Sequence, residues 1–336
     1  MDVLITGGAG YIGSHTVWQF HDEGIVPVVV DDMSTGFGWT LPENVPLYVG
    51  DIRDKALLMN IMSRHSIDTV IHFAGSIIIS ESIADPLKYY SNNTLASHTL
   101  METCIAAGVR NFVFSSTAAV YGIPDVNPVP ETASLQPFTP YGASKLMTER
   151  MLADAAQAYD LRYTALRYFN VSGADPKGRT GQSTAGATNL IKVACEAARG
   201  IRKSLTVFGT DYDTPDGTGV RDYIHVSDLA SAHKLAVDRL RDGGSNLVMN
   251  CGYGRGFSVM EVIEAVKSIS GMDFDVIYGE RRKGDAADVI SQNKLILEEL
   301  DWTPKHDNLR SIVKDALRWE RRLAERRSNE RHVQSI

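Results

Sequence analysis

The residues Val3-Leu4-Ile5-Thr6 form a short apolar run that stops at glycines, and from Gly10 to Phe20 the apolar positions Ile12, Val17 and Phe20 recur at helical spacing. The pattern predicts a strand, a tight turn and a helix. Val28-Val29-Val30, closing on Asp31 and Asp32, is the continuous apolar run expected of a strand covered on both faces, as in a parallel sheet. Leu47-Tyr48-Val49, Thr69-Val70-Ile71 and Phe112-Val113-Phe114 repeat the signal, with helical patterns near Lys55 to His65 and Leu87 to Ala107 between them. Repeated strand-helix units at this spacing predict an α/β fold built on a Rossmann-type, doubly wound parallel sheet.

After about residue 168 the alternation breaks up, and turn-rich segments appear at Asp175-Pro176-Lys177-Gly178 and Thr214-Pro215-Asp216-Gly217-Thr218-Gly219. Helical patterns return at Ala187 to Ala198, Asp228 to Leu240, Val259 to Ser268 and Leu309 to Leu323. The chain therefore reads as a dinucleotide-binding domain over 1–168, a smaller mixed α/β region over 169–330 with some segments returning to the first domain, and a tail over 331–336. From Trp319 onward Arg and Glu interleave, the pattern of a solvated helix face that frays towards its end.

A length of 336 residues with 43% hydrophobic and 22% charged positions is ordinary globular composition. The net charge of -7 gives no support to a nucleic-acid or anionic-membrane surface. Cys104, Cys195 and Cys251 lack the spacing of a disulfide framework or a zinc site, so reduced, buried thiols, a cytoplasmic location and no bound metal are expected. Asp2 stands where a signal peptide would carry basic residues, and no run of about eighteen apolar residues marks a membrane span.

In Gly7-x-x-Gly10-x-x-Gly13 the first glycine permits a tight turn, the second a close approach to a pyrophosphate, and the third close helix-strand packing. The following helix N-terminus then offers unpaired N–H groups and a positive dipole end to that phosphate. Asp31 ends the next strand, where a carboxylate accepts hydrogen bonds from the adenosine ribose and repels a 2′-phosphate, which favours NAD over NADP. The alternative is a solvated loop that merely starts at Asp31 and Asp32.

Tyr141 and Lys145 are four apart at the start of a helical pattern, hence on one helix face. A tyrosine with its ordinary pKa of about 10 needs about 4 kcal/mol of preferential phenolate stabilisation to act as a base near pH 7, which a nearby ammonium and an oxidised nicotinamide can supply. Ser115-Ser116-Thr117 follows the strand Phe112-Val113-Phe114, at the carboxyl edge where such sheets bind ligands, so Thr117 is placed to bond a substrate hydroxyl. With the glycine turn, this set resembles the extended short-chain dehydrogenase/reductase family.

Within that family the resemblance is to the 4-epimerases of UDP-sugars. It is carried by Thr6 to His15, His72-Phe73-Ala74-Gly75, Tyr89-Tyr90-x-Asn92-Asn93, Leu166 to Asn170 and Asp216 to Val226, which run across most of the chain. The resemblance implies NAD as a tightly bound cofactor, Tyr141, Lys145 and Thr117 as catalytic residues, and interconversion of UDP-glucose and UDP-galactose through a 4-keto sugar. It further implies cofactor contacts from Gly7, Gly10, Tyr11, Ile12, Gly13, Asp31, Asp51, Ile52, Phe73, Ala74, Gly75, Asn93, Ser115, Tyr141, Lys145 and Tyr168. Its implied UDP-hexose contacts are Thr117, Tyr141, Asn170, Asn189, Phe208, Arg221, Arg282 and Asp285. The two arginines suit a diphosphate, which a planar guanidinium binds bidentately. Their alternative role is surface pairing with Asp222 or Glu280.

The chain departs from the family at several places. Ile77 stands where many relatives have Lys, and Thr117 replaces the commoner Ser. The loop from Gly178 to Thr188 is short and makes the placement of Asn189 the weakest of the set. Val289 occupies a position that carries a bulky Tyr in some epimerases, which leaves space for an N-acetyl group at the sugar 2-position. A dehydratase or decarboxylase of the same family would need an acid or base after Thr117, where Ala118 and Ala119 stand. A non-catalytic NAD sensor would have no use for the Thr117, Tyr141 and Lys145 set. The family also implies a homodimer formed through the helix of the Tyr-Lys pair and the helix before it.

Overall fold

The computed structural model describes residues 2–282 and 284–334. The first half alternates strand and helix: β1 (Asp2–Thr6), α1 (Tyr11–Asp22), β2 (Val28–Asp31), β3 (Leu47–Val49), α2 (Lys55–Arg64) and β4 (Ile67–His72). It continues with α3 (Ile79–Ala84), α4 (Pro86–Tyr89), α5 (Ala96–Ala106), β5 (Asn111–Thr117), α6 (Pro140–Ala158) and β6 (Arg162–Tyr168). The second half holds β7 (Asn170–Ser172), α7 (Leu190–Ala198), β8 (Ser204–Phe208), β9 (Val220–His225), α8 (Val226–Arg241) and β10 (Leu247–Cys251). It closes with β11 (Gly256–Ser258), α9 (Val259–Ser270), β12 (Asp275–Gly279), β13 (Asp288–Val289), α10 (Lys294–Leu300) and α11 (Leu309–Gln334).

Seven parallel strands form the main sheet in the order β3-β2-β1-β4-β5-β6-β10. Its strands are apolar on both faces because helices cover both. Val17 and Phe20 of α1 and Leu229 and Val237 of α8 fill one side, while Leu58 and Ile61 of α2, Leu100 of α5 and Leu152 of α6 fill the other. Each such side chain, fully buried like Phe20, stabilises the fold by roughly 1.5–3 kcal/mol. The chain order reverses beside β1, which leaves a crevice at the carboxyl ends of β1, β4 and β5.

The later residues build a second layer. β9 pairs with β7 and β13 in parallel and with β11 antiparallel, β8 pairs with β12, and α7, α9 and α11 pack around them. Leu247–Cys251 leaves this layer to extend the main sheet beside β6.

Two local patterns differ from the sequence reading. The expected continuous helix from Leu87 to Ala107 contains a π-helical segment, Tyr90–Leu95. There Asn93 is buried and its side chain bonds the backbone of Ser76 and the hydroxyl of Ser144. The residues after Trp319 continue α11, and Trp319, Glu320 and Leu323 are buried rather than solvated. The cause is packing from three parts of the chain: Gly181 in the loop before α7 lies against Trp319, Lys192 of α7 pairs with Glu320, and the Trp319 ring stacks on Trp39, between β2 and β3. Of the expected tail 331–336, residues 335 and 336 lie outside the described residues.

Candidate active site

The glycine turn is built as its spacing demands. Gly7 adopts φ +68°, and a Cβ there would sit 2.7 Å from the backbone nitrogen of Ala74. A Cβ on Gly13 would lie 2.2 Å from the Gly7 carbonyl oxygen, so α1 reaches the strand turn only because both positions lack a side chain. Gly10 is the N-cap of α1 and no side chain caps that end, which leaves N–H groups directed at the crevice. Asp31 accepts from the backbone of Ala9 at 2.9 Å and of Met33 at 2.9 Å. Burial pushes its carboxyl up, against the lowering pull of those N–H donors. A bare anion-binding turn followed by an oriented carboxylate fits a dinucleotide.

The other expected cofactor residues border the same crevice or brace it. Ile52 is buried, and Asp51 beside it is paired with Arg53, which holds its carboxyl below the usual range. The loop Phe73-Ala74-Gly75 follows β4, with the Phe73 ring 4.7 Å from that of His233 on α8. Tyr11, at the start of α1 before Ile12, donates its hydroxyl to the Gly173 carbonyl at 2.7 Å and so ties the turn to the second layer.

The catalytic candidates converge at the carboxyl end of β5. Thr139 caps α6 by accepting from the Gly142 nitrogen at 3.2 Å, and Pro140 occupies the first turn, so the helix begins just before Tyr141. Tyr141 and Lys145 are both buried. Thr117 and Tyr168 are register partners on β5 and β6, and their hydroxyls meet the Tyr141 phenol, with Tyr168 also facing Ser115. The Lys145 Nζ donates to the Ser115 carbonyl at 3.0 Å and lies 4.8 Å from the Phe114 ring centre.

The electrostatics run against the simplest expectation. Burial raises the Tyr141 phenol well above its ordinary value, with the neighbouring Tyr168 adding to the rise. Burial also lowers Lys145 to about 8, partly opposed by the charge of Glu149. The protein alone therefore keeps Tyr141 as a neutral phenol. A positive charge brought in by a bound group is what the site lacks for a phenolate.

Sequence reasoning missed the frame that holds this pair. Glu149 forms a fully buried ion pair with Arg167 at 2.6 Å and accepts from the Ser116 hydroxyl, and Arg167 also donates to Tyr121 at 3.0 Å. Tyr141, Lys145 and Glu149 follow one another at four-residue steps, a spacing that makes the third member visible once the first two are chosen. His72 bridges the hydroxyls of Thr6 and Ser97 at 2.7 and 2.8 Å, and burial lowers it to about 3, so it stays neutral.

The expected sugar-nucleotide residues sit on the second layer. Phe208 ends β8 with the Arg282 guanidinium 4.9 Å from its ring centre, and Arg282 is paired with Asp285 at 2.8 Å rather than with Glu280. Arg221 on β9 donates to the Val220 carbonyl at 2.8 Å, while Asp222 is buried and bonded to Tyr253, Gly254 and Ser291. Gly284, next to Asp285, packs on the ring of Phe138, two residues before α6, which links this layer to the catalytic helix. Asn170 starts β7 opposite Tyr223. Asn189 caps α7 and its amide donates to the Val171 carbonyl, so its side chain is engaged in structure.

A model of the NAD dependent epimerase/dehydratase family matches residues 3–252, and the chain belongs to that family. Its relatives narrow the class. The chain is 56% identical over 321 residues to a UDP-glucose 4-epimerase of Azospirillum brasilense, covering 96% of this chain and 92% of that one. It is 43% identical to the crystal structure of UDP-glucose 4-epimerase from Brucella ovis in complex with NAD, with a TM-score of 0.92 over 94% of this chain and 97% of the other. The UDP-Glc/GlcNAc 4-epimerase from Campylobacter jejuni is 46% identical, with a TM-score of 0.84 over 96% and 99% of the two chains.

Proposed function

We propose that the chain interconverts UDP-glucose and UDP-galactose by epimerisation at C4, as an isomerase carrying its own NAD. The observation that carries this reading is the meeting of Thr117, Tyr141 and Tyr168 hydroxyls beside Lys145, at the mouth of an uncapped glycine turn. Gly7, Gly10, Gly13 and the α1 N-terminus would hold the pyrophosphate, Asp31 the adenosine ribose, and Asn93, Lys145 and Tyr168 the nicotinamide half. When bound, NAD supplies an acceptor that takes the C4 hydride and gives it back within the same turnover.

The chain's own residues move the proton. Tyr141 takes the 4-hydroxyl proton on its phenolate oxygen as the C4–O4 bond becomes a carbonyl, and returns it when the opposite configuration forms. Thr117 donates a hydrogen bond to O4 and fixes it against the phenol. Bringing Tyr141 from even its ordinary pKa of about 10 to 7 takes about 4 kcal/mol, and the Lys145 ammonium, one helical turn away, contributes to it. Arg221, Arg282 and Asp285 hold the UDP end while the sugar presents each face in turn. Ala118 and Ala119 provide no group to expel a 6-hydroxyl, which disfavours a dehydratase.

Val289 favours a second substrate. Its side chain packs against the cluster of Val120, Tyr121, Val129 and Leu146, and the family resemblance sets this position against the sugar 2-position, where a valine leaves room that a Tyr would fill. UDP-N-acetylglucosamine is accepted as well.

The assembly proposed is a homodimer through α5 and α6, supported by the outward apolar side chains Leu95 and Met147 on that surface. No helix among the described residues is long and apolar enough to cross a membrane. Three free, buried cysteines fit a cytoplasmic location. A coupled assay of purified protein with UDP-galactose tests the function: UDP-glucose is expected, and its absence from active-site-intact protein overturns the reading.

A further inference from the structure

Asn127 lies in the connection between Thr117, at the end of β5, and Thr139, the N-cap of α6. Its side-chain amide straddles Val289. Nδ2 donates to the Asp288 carboxylate at 2.6 Å, and Oδ1 accepts from the Ile290 nitrogen at 2.9 Å. The backbone extends this seam, because the Val129 nitrogen donates to the Ile290 carbonyl at 2.8 Å and the Gln292 nitrogen to the Val129 carbonyl at 2.9 Å. β13 is only two residues long and is therefore held between two supports. On its other edge it pairs with β9, where Val289 stands opposite Arg221.

The two supports fix different distances. β9 sets Val289 relative to Arg221, at the nucleotide end, while the Asn127 arm sets it relative to Val120, Val129 and Leu146, beside Tyr141 and Lys145. We propose that Asn127 is a positioning residue for sugar selection: its amide sets how far Val289 stands from the catalytic helix, and so the wall met by a substituent at the sugar 2-position. The inference rests on the reading that Val289 borders that position. Only an amide serves both bonds, since the Asp288 carboxylate needs a donor and the Ile290 nitrogen an acceptor. A 2-hydroxyl does not reach the valine wall, whereas an N-acetyl methyl packs on it, so displacing Val289 penalises the N-acetyl sugar selectively.

Asn127→Asp sets two carboxylates face to face, and adding Asp288→Asn exchanges donor and acceptor across the same gap. The readout is the ratio of kcat/KM for UDP-N-acetylgalactosamine to that for UDP-galactose, measured on NAD-bound protein. It is expected to fall about fourfold in Asn127→Asp, the worth of one apolar carbon's burial, and to return to the wild-type value in the double variant. Asn127→Ala, which drops both bonds without adding charge, should lower the ratio in the same direction and replaces Asn127→Asp if that variant does not fold. Plain destabilisation lowers both substrates alike and leaves the ratio unmoved. An unchanged ratio in the single variants, or a double variant that keeps the lowered ratio of Asn127→Asp, would overturn the inference and leave the Val289 reading standing. Wild-type protein that converts UDP-galactose but not UDP-N-acetylgalactosamine would instead remove the Val289 reading on which the inference rests.

Discussion

The Lys145 ammonium donates to the carbonyl oxygen of Ser115 at 3.0 Å, which anchors it to the end of β5 one helical turn from Tyr141. Its burial costs charge: the ammonium titrates at about 8. Between pH 8 and 10.5 the unfolded lysine still holds its proton while the folded one has lost it, so raising pH through this window favours the folded state. The penalty on the charged form is fully present below pH 8. Wild-type protein should therefore gain stability relative to Lys145→Met between pH 8 and 10.5, by on the order of 3 kcal/mol. Denaturant titrations of both proteins across that range check it, and a constant difference contradicts it.

Glu149 and Arg167 are each about 5% exposed and joined at 2.6 Å. Replacing one partner leaves the other charge buried alone, which costs about 3–5 kcal/mol. Glu149→Gln should lower chemical stability by that amount and, because Glu149 supports the Lys145 charge, move the Lys145 titration below 8. Unchanged stability would show that the pair is not the frame of the site.

Tyr141→Phe should abolish epimerisation while NAD content stays at the wild-type level, since the cofactor turn lies on other elements. Turnover by this variant, measured with UDP-galactose in a coupled assay, would refute the role of the phenol.

The sheet was legible because its strands are covered on both faces: Val28-Val29-Val30 and Phe112-Val113-Phe114 read as unbroken apolar runs, and the structure places both in the seven-stranded sheet. Leu247–Cys251 was harder to see. It returns to the sheet next to β6 after an excursion of about eighty residues, and nothing local in its sequence names its neighbour. Trp319 shows the limit of charge patterning, since Arg321, Arg322 and Glu325 are exposed while Glu320 is buried against Lys192 and the indole stacks on Trp39, contacts set by tertiary structure. At the site, the Tyr141 and Lys145 spacing was legible from helix geometry. The upward shift of the phenol was not, because it comes from burial against Tyr168 on a distant strand.

Val289 is half-buried against Leu146 of the catalytic helix. If Val289 borders the sugar 2-position as proposed, Val289→Tyr should lower turnover of UDP-N-acetylgalactosamine at least about tenfold while that of UDP-galactose is kept, a discrimination of the size that pocket volume allows. Equal loss of both substrates, measured as kcat/KM, would show that Val289 serves packing alone.

The proposed function requires the glycine turn to hold NAD as a resident group whose hydride returns to the sugar in each turnover. The direct measurement is the NAD content of freshly purified protein together with its turnover of UDP-galactose in the absence of added cofactor. Close to one NAD per chain and undiminished activity without supplement are expected. Protein that is inactive until NAD is added, and that releases NADH into solution as it works, would contradict it.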